Sequence, residues 1–185
     1  MLEAAKTVFS TGGPQASLDA VARHAGVGIG TLYRHFPTRE ALFEAVYRRE
    51  VEQLVELSVQ LDACPAPVTA LRRWLRANVE FVATKKGMAA ALALATYGST
   101  ELSAYTADQL TGAVRRLMDR AAAAGELRAD ILPHDVLRML VALCYGTSEA
   151  GWQEHVLRLL DVFVDGLCRG GYTQRSTGPA ERGHV

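Results

Sequence analysis

Residues 17–43 read SLDAVARHAGVGIGTLYRHFPTREALF, and this segment predicts a helix, a tight turn, a second helix and a capped third helix. Ser17 is a good N-cap for the first of these helices, in which apolar residues recur at helical spacing. Gly26 supplies the backbone freedom that a sharp turn needs. A short second helix is expected over about Ile29–Phe36, and Pro37 ends it. Two helices joined by such a turn form the unit whose second helix enters the major groove of DNA.

The charge of this segment favours a surface that faces phosphates. Between Ala20 and Arg39 the sequence has three arginines, two histidines and no acidic residue. A local excess of positive charge is what binding to the DNA backbone requires. The whole chain is formally neutral, with 20 basic and 20 acidic residues, which argues against a general nucleic-acid coat protein. It is compatible with a sequence-specific reader, which needs only one basic face. The alternative is a solvated helix pair in an ordinary helical protein.

Three short patterns stand in the N-terminal quarter of the chain. They are Ala4-Ala5 with Phe9, then Ala-x-x-Ala-Gly-Val over 22–27, then TLYRHFPTREAL over 31–42. Together these residues resemble the signature of the tetracycline-repressor (TetR) family; beyond them the resemblance is one of layout only. The resemblance implies a homodimeric, all-helical transcription regulator. Such a regulator is usually a repressor that a small molecule in its second domain shifts off its operator.

Two features depart from the pattern of that family. The family often has Ser or Thr at the position of Gly28, where glycine is an acceptable N-cap that costs only a few tenths of a kcal/mol. Glycine also lacks a hydroxyl that could bind phosphate. The family usually carries a basic arm before its first helix, whereas this sequence begins with Met1-Leu2-Glu3, already inside that helix. Either the arm precedes Met1 in the native protein or the protein binds DNA without it. Without an arm we expect weak non-specific binding and a dependence on dimerisation. A helical interaction protein that has lost specific DNA binding remains the alternative.

The DNA-binding residues are predicted from their position and from the resemblance. Side chains of the second, recognition helix can reach base edges, and arginine is the best reader of guanine, so Thr31 and Arg34 are expected base contacts. The resemblance implies contacts to backbone or nearby bases for Tyr33 and His35. Residues that open a helix are candidates for phosphate contacts. The predicted DNA-binding set is Ser17, Gly28, Thr31, Tyr33, Arg34, His35 and Arg39.

Composition predicts a folded, all-α chain of about nine helices. The chain has 185 residues, 49% of them hydrophobic, and its long segments lack Pro and Gly. We expect a helix-turn-helix DNA-binding domain over 1–46, a ligand-binding and dimerisation domain over 47–170, and a polar, disordered tail over 171–185. A long helix over about Arg39–Leu61 is expected to join the two domains. A separate short helix is expected over about Met88–Thr96.

The second domain is expected to bind a small-molecule effector. Its central helices mix aromatic residues, methionine and isolated polar residues, as the walls of such pockets do. The same residues at helical spacing are more often ordinary core, so this prediction depends mainly on the resemblance. The candidates include no charged cluster, which favours a neutral or weakly polar ligand. The predicted lining residues are Trp74, Asn78, Phe81, Met88, Thr96, Tyr97, Tyr105 and Met118.

The last two long helices are expected to form a dimer interface. Their apolar stripes are wide, and two such helices from each subunit make an intermolecular four-helix bundle. The alternative is that both stripes are ordinary intrachain core. A two-fold dimer would place two recognition helices roughly 34–36 Å apart, which suits a palindromic operator. The predicted interface residues are Leu137, Leu140, Val156, Leu159, Leu160, Phe163 and Leu167.

Other classes of protein are not indicated. The pairs His134-Asp135 and Glu154-His155 are adjacent in sequence, so their side chains diverge on a helix and do not form a catalytic pair. Cys64, Cys144 and Cys168 are odd in number and far apart, which favours a reducing cytoplasm and small buried side chains over disulfides. There is no signal peptide and no membrane-length apolar run. We expect a cytoplasmic protein that is not an enzyme, with no metal and no cofactor.

Overall fold

The computed structural model describes residues 1–12, 16–91, 100–146 and 151–168, and within them it is helical. The predicted all-α class is therefore confirmed. A short 3₁₀ turn, Leu61–Ala63, follows the fourth helix. The predicted tail over 171–185, together with Thr96 and Tyr97, lies outside the described residues. The eight α-helices of the described ranges are α1 Leu2–Gly12, α2 Leu18–His24, α3 Ile29–His35, α4 Arg39–Gln60, α5 Pro67–Ala91, α6 Thr100–Ala123, α7 Pro133–Tyr145 and α8 Trp152–Leu167.

The first three helices and the start of α4 follow the local signals of the sequence closely. The Ser17 hydroxyl accepts a hydrogen bond from the Ala20 amide at 3.1 Å and so caps α2. Gly26 has a φ of +68°, a left-handed conformation that glycine adopts without strain, and the chain turns there into α3. The Thr38 hydroxyl caps α4 by accepting from the Ala41 amide at 3.1 Å. These caps and the turn place α3 beside α2 at the end of the molecule.

Helix α4 connects the N-terminal helices to the rest of the chain. It has 22 residues, and its buried side chains continue from Leu42 to Ser58. It packs against α1 near its start and against α5 and α6 farther along. One rigid element therefore contributes to the packing on both sides of Tyr47. No helix in the described parts of the chain is both long and apolar enough to cross a membrane.

Helix α5 runs without interruption through Gly87, so the predicted separate helix over Met88–Thr96 is wrong at its start. At least Met88–Ala91 belongs to α5. A glycine inside a helical segment lowers its stability without necessarily ending it. A Cβ atom built on Gly87 would lie 3.4 Å from the carbonyl oxygen of Phe9, an ordinary van der Waals contact, so Gly87 lies where α1 packs against α5.

A network of ion pairs joins α5 to α8. The Arg72 guanidinium lies 2.9 Å from Asp161 and 2.5 Å from Asp165, and Arg76 lies 2.5 Å from the second oxygen of Asp161. The hydrogen bond from Arg72, supported by Arg76, lowers the pKa of the Asp161 carboxyl below its ordinary range. These ion pairs therefore join α8 to the first half of α5.

Candidate nucleic-acid interface

Helix α3 has one buried face and one exposed face. Leu32 is buried in the core, and Phe36, which follows the helix, packs against that core. On the other side, Tyr33 is 48% exposed, and Arg34 and His35 are also exposed. The apolar residues therefore anchor the helix and leave its polar and aromatic side chains directed at solvent. This is the arrangement that a helix needs in order to be both held by the fold and inserted into a groove.

The Arg34 side chain lies along its own helix. Its Nε is 3.4 Å from the carbonyl oxygen of Gly30, and its Nη2 is 3.5 Å from the Thr31 hydroxyl. Both contacts are long and exposed, so they hold the guanidinium weakly. A planar guanidinium in this setting can rotate away and donate two parallel hydrogen bonds to the edge of a guanine.

The flanking basic residues are also accessible. Arg23 pairs with Asp19 at 3.0 Å, but both side chains are largely exposed, and pairs of this kind stabilise a protein by about 0–1 kcal/mol. A DNA phosphate can therefore replace Asp19 as its partner at little cost. Arg39 is exposed at the first position of α4. Ser17 is half-buried and occupied in capping α2, with its hydroxyl hydrogen still available as a donor.

Gly28 is the N-cap of α3 and makes no side-chain cap. It is exposed, and an added Cβ would meet no atom within 4 Å. The amide groups at the start of α3 therefore face solvent without a capping oxygen. The same openness lets the backbone at this end of α3 approach a ligand closely.

The comparisons with known proteins agree with this geometry. Residues 1–46 match the family described as bacterial regulatory proteins, tetR family. Residues 66–169 match the C-terminal domain described as transcriptional regulator SbtR-like. The chain belongs to the TetR family. Its members are DNA-binding transcription regulators and not enzymes, so both the resemblance noted above and the non-enzymatic class are confirmed.

Two solved structures match most of this TetR-family chain, and a curated relative matches a shorter part of it. The TetR transcriptional regulator SCO0520 from Streptomyces coelicolor is 43% identical, with a TM-score of 0.77, over 90% of this chain and 95% of that one. A TetR regulatory protein from Mycobacterium vanbaalenii is 30% identical, with a TM-score of 0.71, over 90% and 92%. An HTH-type transcriptional regulator of Mycobacterium tuberculosis is 35% identical over 74 residues, and the match spans only 38% of that relative's length.

The structure separates the predicted ligand-binding residues of this TetR-family chain. Trp74 and Asn78 are buried, and their polar groups are used within the chain: Trp74 donates to the carbonyl oxygen of Leu54 at 2.8 Å, and Asn78 donates to that of Trp74 at 3.0 Å. Both residues pack as core residues do, and their role in binding a ligand stays a prediction. Met118 is also buried. Tyr105 is half-buried, with the Arg48 guanidinium 5.0 Å above its ring.

Two of the described candidates border one small space. Phe81 and Met88 border a space of only about 10 Å³ next to Tyr47, which is too small for an effector. An opening of about 140 Å³ lies between Phe81, Leu54 and Glu50. Two wider surface grooves, between α4 and α6 and between α1, α5 and α8, are lined by none of the predicted ligand residues. The sequence could not reveal that α4 and α5 pack together at Phe81 and leave little space there.

The predicted dimer residues divide into two groups. Leu140, Val156, Leu160 and Leu167 are buried in the core of the single chain, and their place in a dimer interface stays a prediction. Leu137 and Phe163 are half-buried and Leu159 is exposed. The exposed apolar side chains that α7 and α8 present are Val141, Tyr145, Leu159 and Val162. Leu159 belongs to the predicted set, and Val141 and Tyr145 could have been found as a second apolar stripe displaced by one residue from the core positions Leu140 and Cys144.

Proposed function

We propose that this chain is a homodimeric, sequence-specific repressor that binds a palindromic operator and leaves it when a small molecule binds the C-terminal domain. The observation that carries the proposal is the orientation of α3. Leu32 fixes the helix to the core, while Tyr33 and Arg34 extend into solvent. Because the stretch from Ala20 to Arg39 has no acidic residue, an approaching phosphate backbone meets positive charge on this surface.

The contacts divide by role in this proposal. Thr31, Tyr33 and Arg34 read base edges, with Arg34 directed at a guanine. The phosphate and orienting contacts come from the ends of the helices and carry little sequence information. Those contacts come from Ser17, Gly28, His35 and Arg39.

The dimer forms through α7 and α8. Val141 and Tyr145 are four residues apart on α7, and Leu159 and Val162 are three apart on α8, so each pair shares a helix face. These four side chains are exposed. Exposed apolar side chains grouped on one face of a molecule mark an interaction surface. Two copies packed on this face would form a four-helix bundle with a two-fold axis.

The effector acts through α4 in this proposal. Tyr47 and Arg48 on α4 contact Phe81 and Tyr105 of the C-terminal domain, with 5.2 Å between the ring centroids of Tyr47 and Phe81. A neutral or weakly polar ligand that separates these residues would move α4 and the two recognition helices with it. Such a ligand would release DNA only if it bound the DNA-free conformation of the protein more tightly than the DNA-bound conformation.

The test is selection of bound sequences from random duplex DNA, followed by the salt dependence of binding to the enriched sequence. The expected result is a two-fold symmetric motif whose half-sites lie one helical turn apart, with affinity that falls steeply as salt rises. If a folded dimer enriches no motif, the proposal is wrong, and the interaction protein described above becomes the better account.

A further inference from the structure

One apolar side chain of α3 keeps contact with solvent at the start of the helix. Ile29 opens the helix and is 38% exposed. The neighbouring apolar residues Val27 and Phe36 are half-buried and pack against the core. Within residues 16–46, only Ile29 and Tyr33 are exposed large hydrophobic side chains. They are four residues apart, so they lie next to each other on the surface of α3, where both keep contact with solvent.

The residues beside Ile29 leave its exposed part open to a partner. Gly28 and Gly30 carry no side chains, and a Cβ added to either would have nothing within 4 Å. No neighbouring side chain therefore keeps another surface away from Ile29. A β-branched side chain also has few rotamers to lose when it becomes buried. Ile29 is a rigid apolar projection at the end of the helix that enters the groove first.

The chemistry of the major groove offers one apolar partner. Residues near the start of a recognition helix contact base edges. Those edges carry hydrogen-bond donors and acceptors, which isoleucine cannot use, and the 5-methyl group of thymine, which it can. We propose that Ile29 packs against a thymine methyl group and makes thymine the preferred base at that position of each half-site. This inference rests on the proposed function and adds one specificity determinant to it.

The test removes the methyl group from DNA without changing its hydrogen bonds. In the selected operator, each symmetric pair of thymines is replaced in turn by deoxyuridine, and affinity is measured by fluorescence anisotropy. Burial of one methyl group is worth about a fourfold change in affinity, so loss of two per dimer should weaken binding by about 15-fold. One thymine pair should show this loss and the other pairs should not.

Two variants test whether the effect of the thymine methyl group on affinity depends on Ile29. The Ile29→Ala dimer should bind the thymine and deoxyuridine operators equally well. Arg39→Ala is the matched control, because loss of a phosphate contact should weaken binding to both operators and keep their ratio. Equal melting temperatures of Ile29→Ala and the parent chain would show that folding is unchanged.

Three results would overturn the inference. A selected motif without symmetric thymines, a parent protein indifferent to every deoxyuridine, or a methyl effect that persists in Ile29→Ala would each contradict it while leaving the proposed function intact. Failure to select any motif would overturn the proposed function together with this inference.

Discussion

The ammonium group of Lys6 on α1 lies 2.6 Å from a carboxylate oxygen of Glu50 on α4. The Glu50 side chain is only 9% exposed, so its charge is largely removed from water and depends on this partner. Residue 50 lies beyond the segment matched as the DNA-binding part of the family, which ends at residue 46. The pair therefore ties the first helix to the helix that continues into the C-terminal part of the chain.

Loss of the Lys6 charge should destabilise the protein. Lys6→Met keeps most of the apolar stem and leaves Glu50 buried without its cation. Because Lys6 itself is partly exposed, we expect a loss of about 1–2 kcal/mol in the free energy of unfolding, less than the cost for a fully buried pair. Urea unfolding measures it. The double variant Lys6→Met/Glu50→Gln should recover part of the loss, and a single variant as stable as the parent would refute the role assigned to the pair.

The ion pairs between α5 and α8 should make the free energy of unfolding depend on pH. The pKa of Asp161 is lowered in the folded protein by the hydrogen bond from Arg72 and by Arg76. The stabilisation by ionised Asp161 is therefore complete at pH values above its pKa in the unfolded chain, about 3.9. It is lost as the pH falls through the lower pKa of Asp161 in the folded protein.

The variant Asp161→Asn isolates that contribution. Because these side chains are partly exposed, the variant should be less stable than the parent by about 1 kcal/mol at pH 7. The difference should be constant from pH 7 to about pH 5 and should shrink below about pH 4. Thermal melts across this range measure it. A difference that grows towards low pH would contradict the sign of the pKa shift.

A serine at position 28 should strengthen the start of α3. Gly28→Ser introduces a capping hydroxyl where there is room for a Cβ, and we expect a gain of a few tenths of a kcal/mol in stability and tighter operator binding. Gly28→Ala is the matched control, since alanine adds the same Cβ without the oxygen and is a poorer N-cap than glycine. Denaturant unfolding and operator titrations that fail to separate the two variants would show that the cap of α3 is unimportant.

A charge on the exposed face of α8 should separate the dimer. Val162 is 71% exposed, and burial of a valine side chain contributes about 1.5 kcal/mol or more. Val162→Glu places a carboxylate in both halves of the interface, so we expect the dimer dissociation constant to rise at least about 100-fold. Sedimentation velocity measures the change. Val59→Glu, at a 51% exposed position on α4, is the control and should stay dimeric; equal behaviour of the two variants would contradict the interface.

The N-terminal helices were predictable because local chemistry determines them. Ser17, Gly26 and Thr38 each act through hydrogen bonds or backbone angles within a few residues, so a single sequence is sufficient. The exposure of Tyr33 and the burial of Leu32 follow from helical periodicity in the same way.

The C-terminal part was less predictable because burial there depends on which helices meet. The indole of Trp74 could have lined a pocket, but the carbonyl oxygen of Leu54 on α4 receives its hydrogen bond. Leu160 and Val162 lie on opposite sides of α8, and the packing of α8 against α5 and α7 makes the side of Leu160 core and leaves the side of Val162 at the surface. The sequence predicts a separate helix from Met88 onward, whereas α5 continues through Gly87, where it packs against α1, a contact that a single sequence does not reveal.

The most direct measurement is an operator titration with two proteins. The parent chain and the double variant Tyr33→Ala/Arg34→Ala are titrated against the selected duplex, with circular dichroism and sedimentation to establish that both are folded dimers. Each lost base contact costs about 1–3 kcal/mol, so the double variant should bind at least about 100-fold more weakly and no better than it binds unrelated DNA. A folded, dimeric double variant that keeps the parent affinity would contradict recognition of DNA by α3.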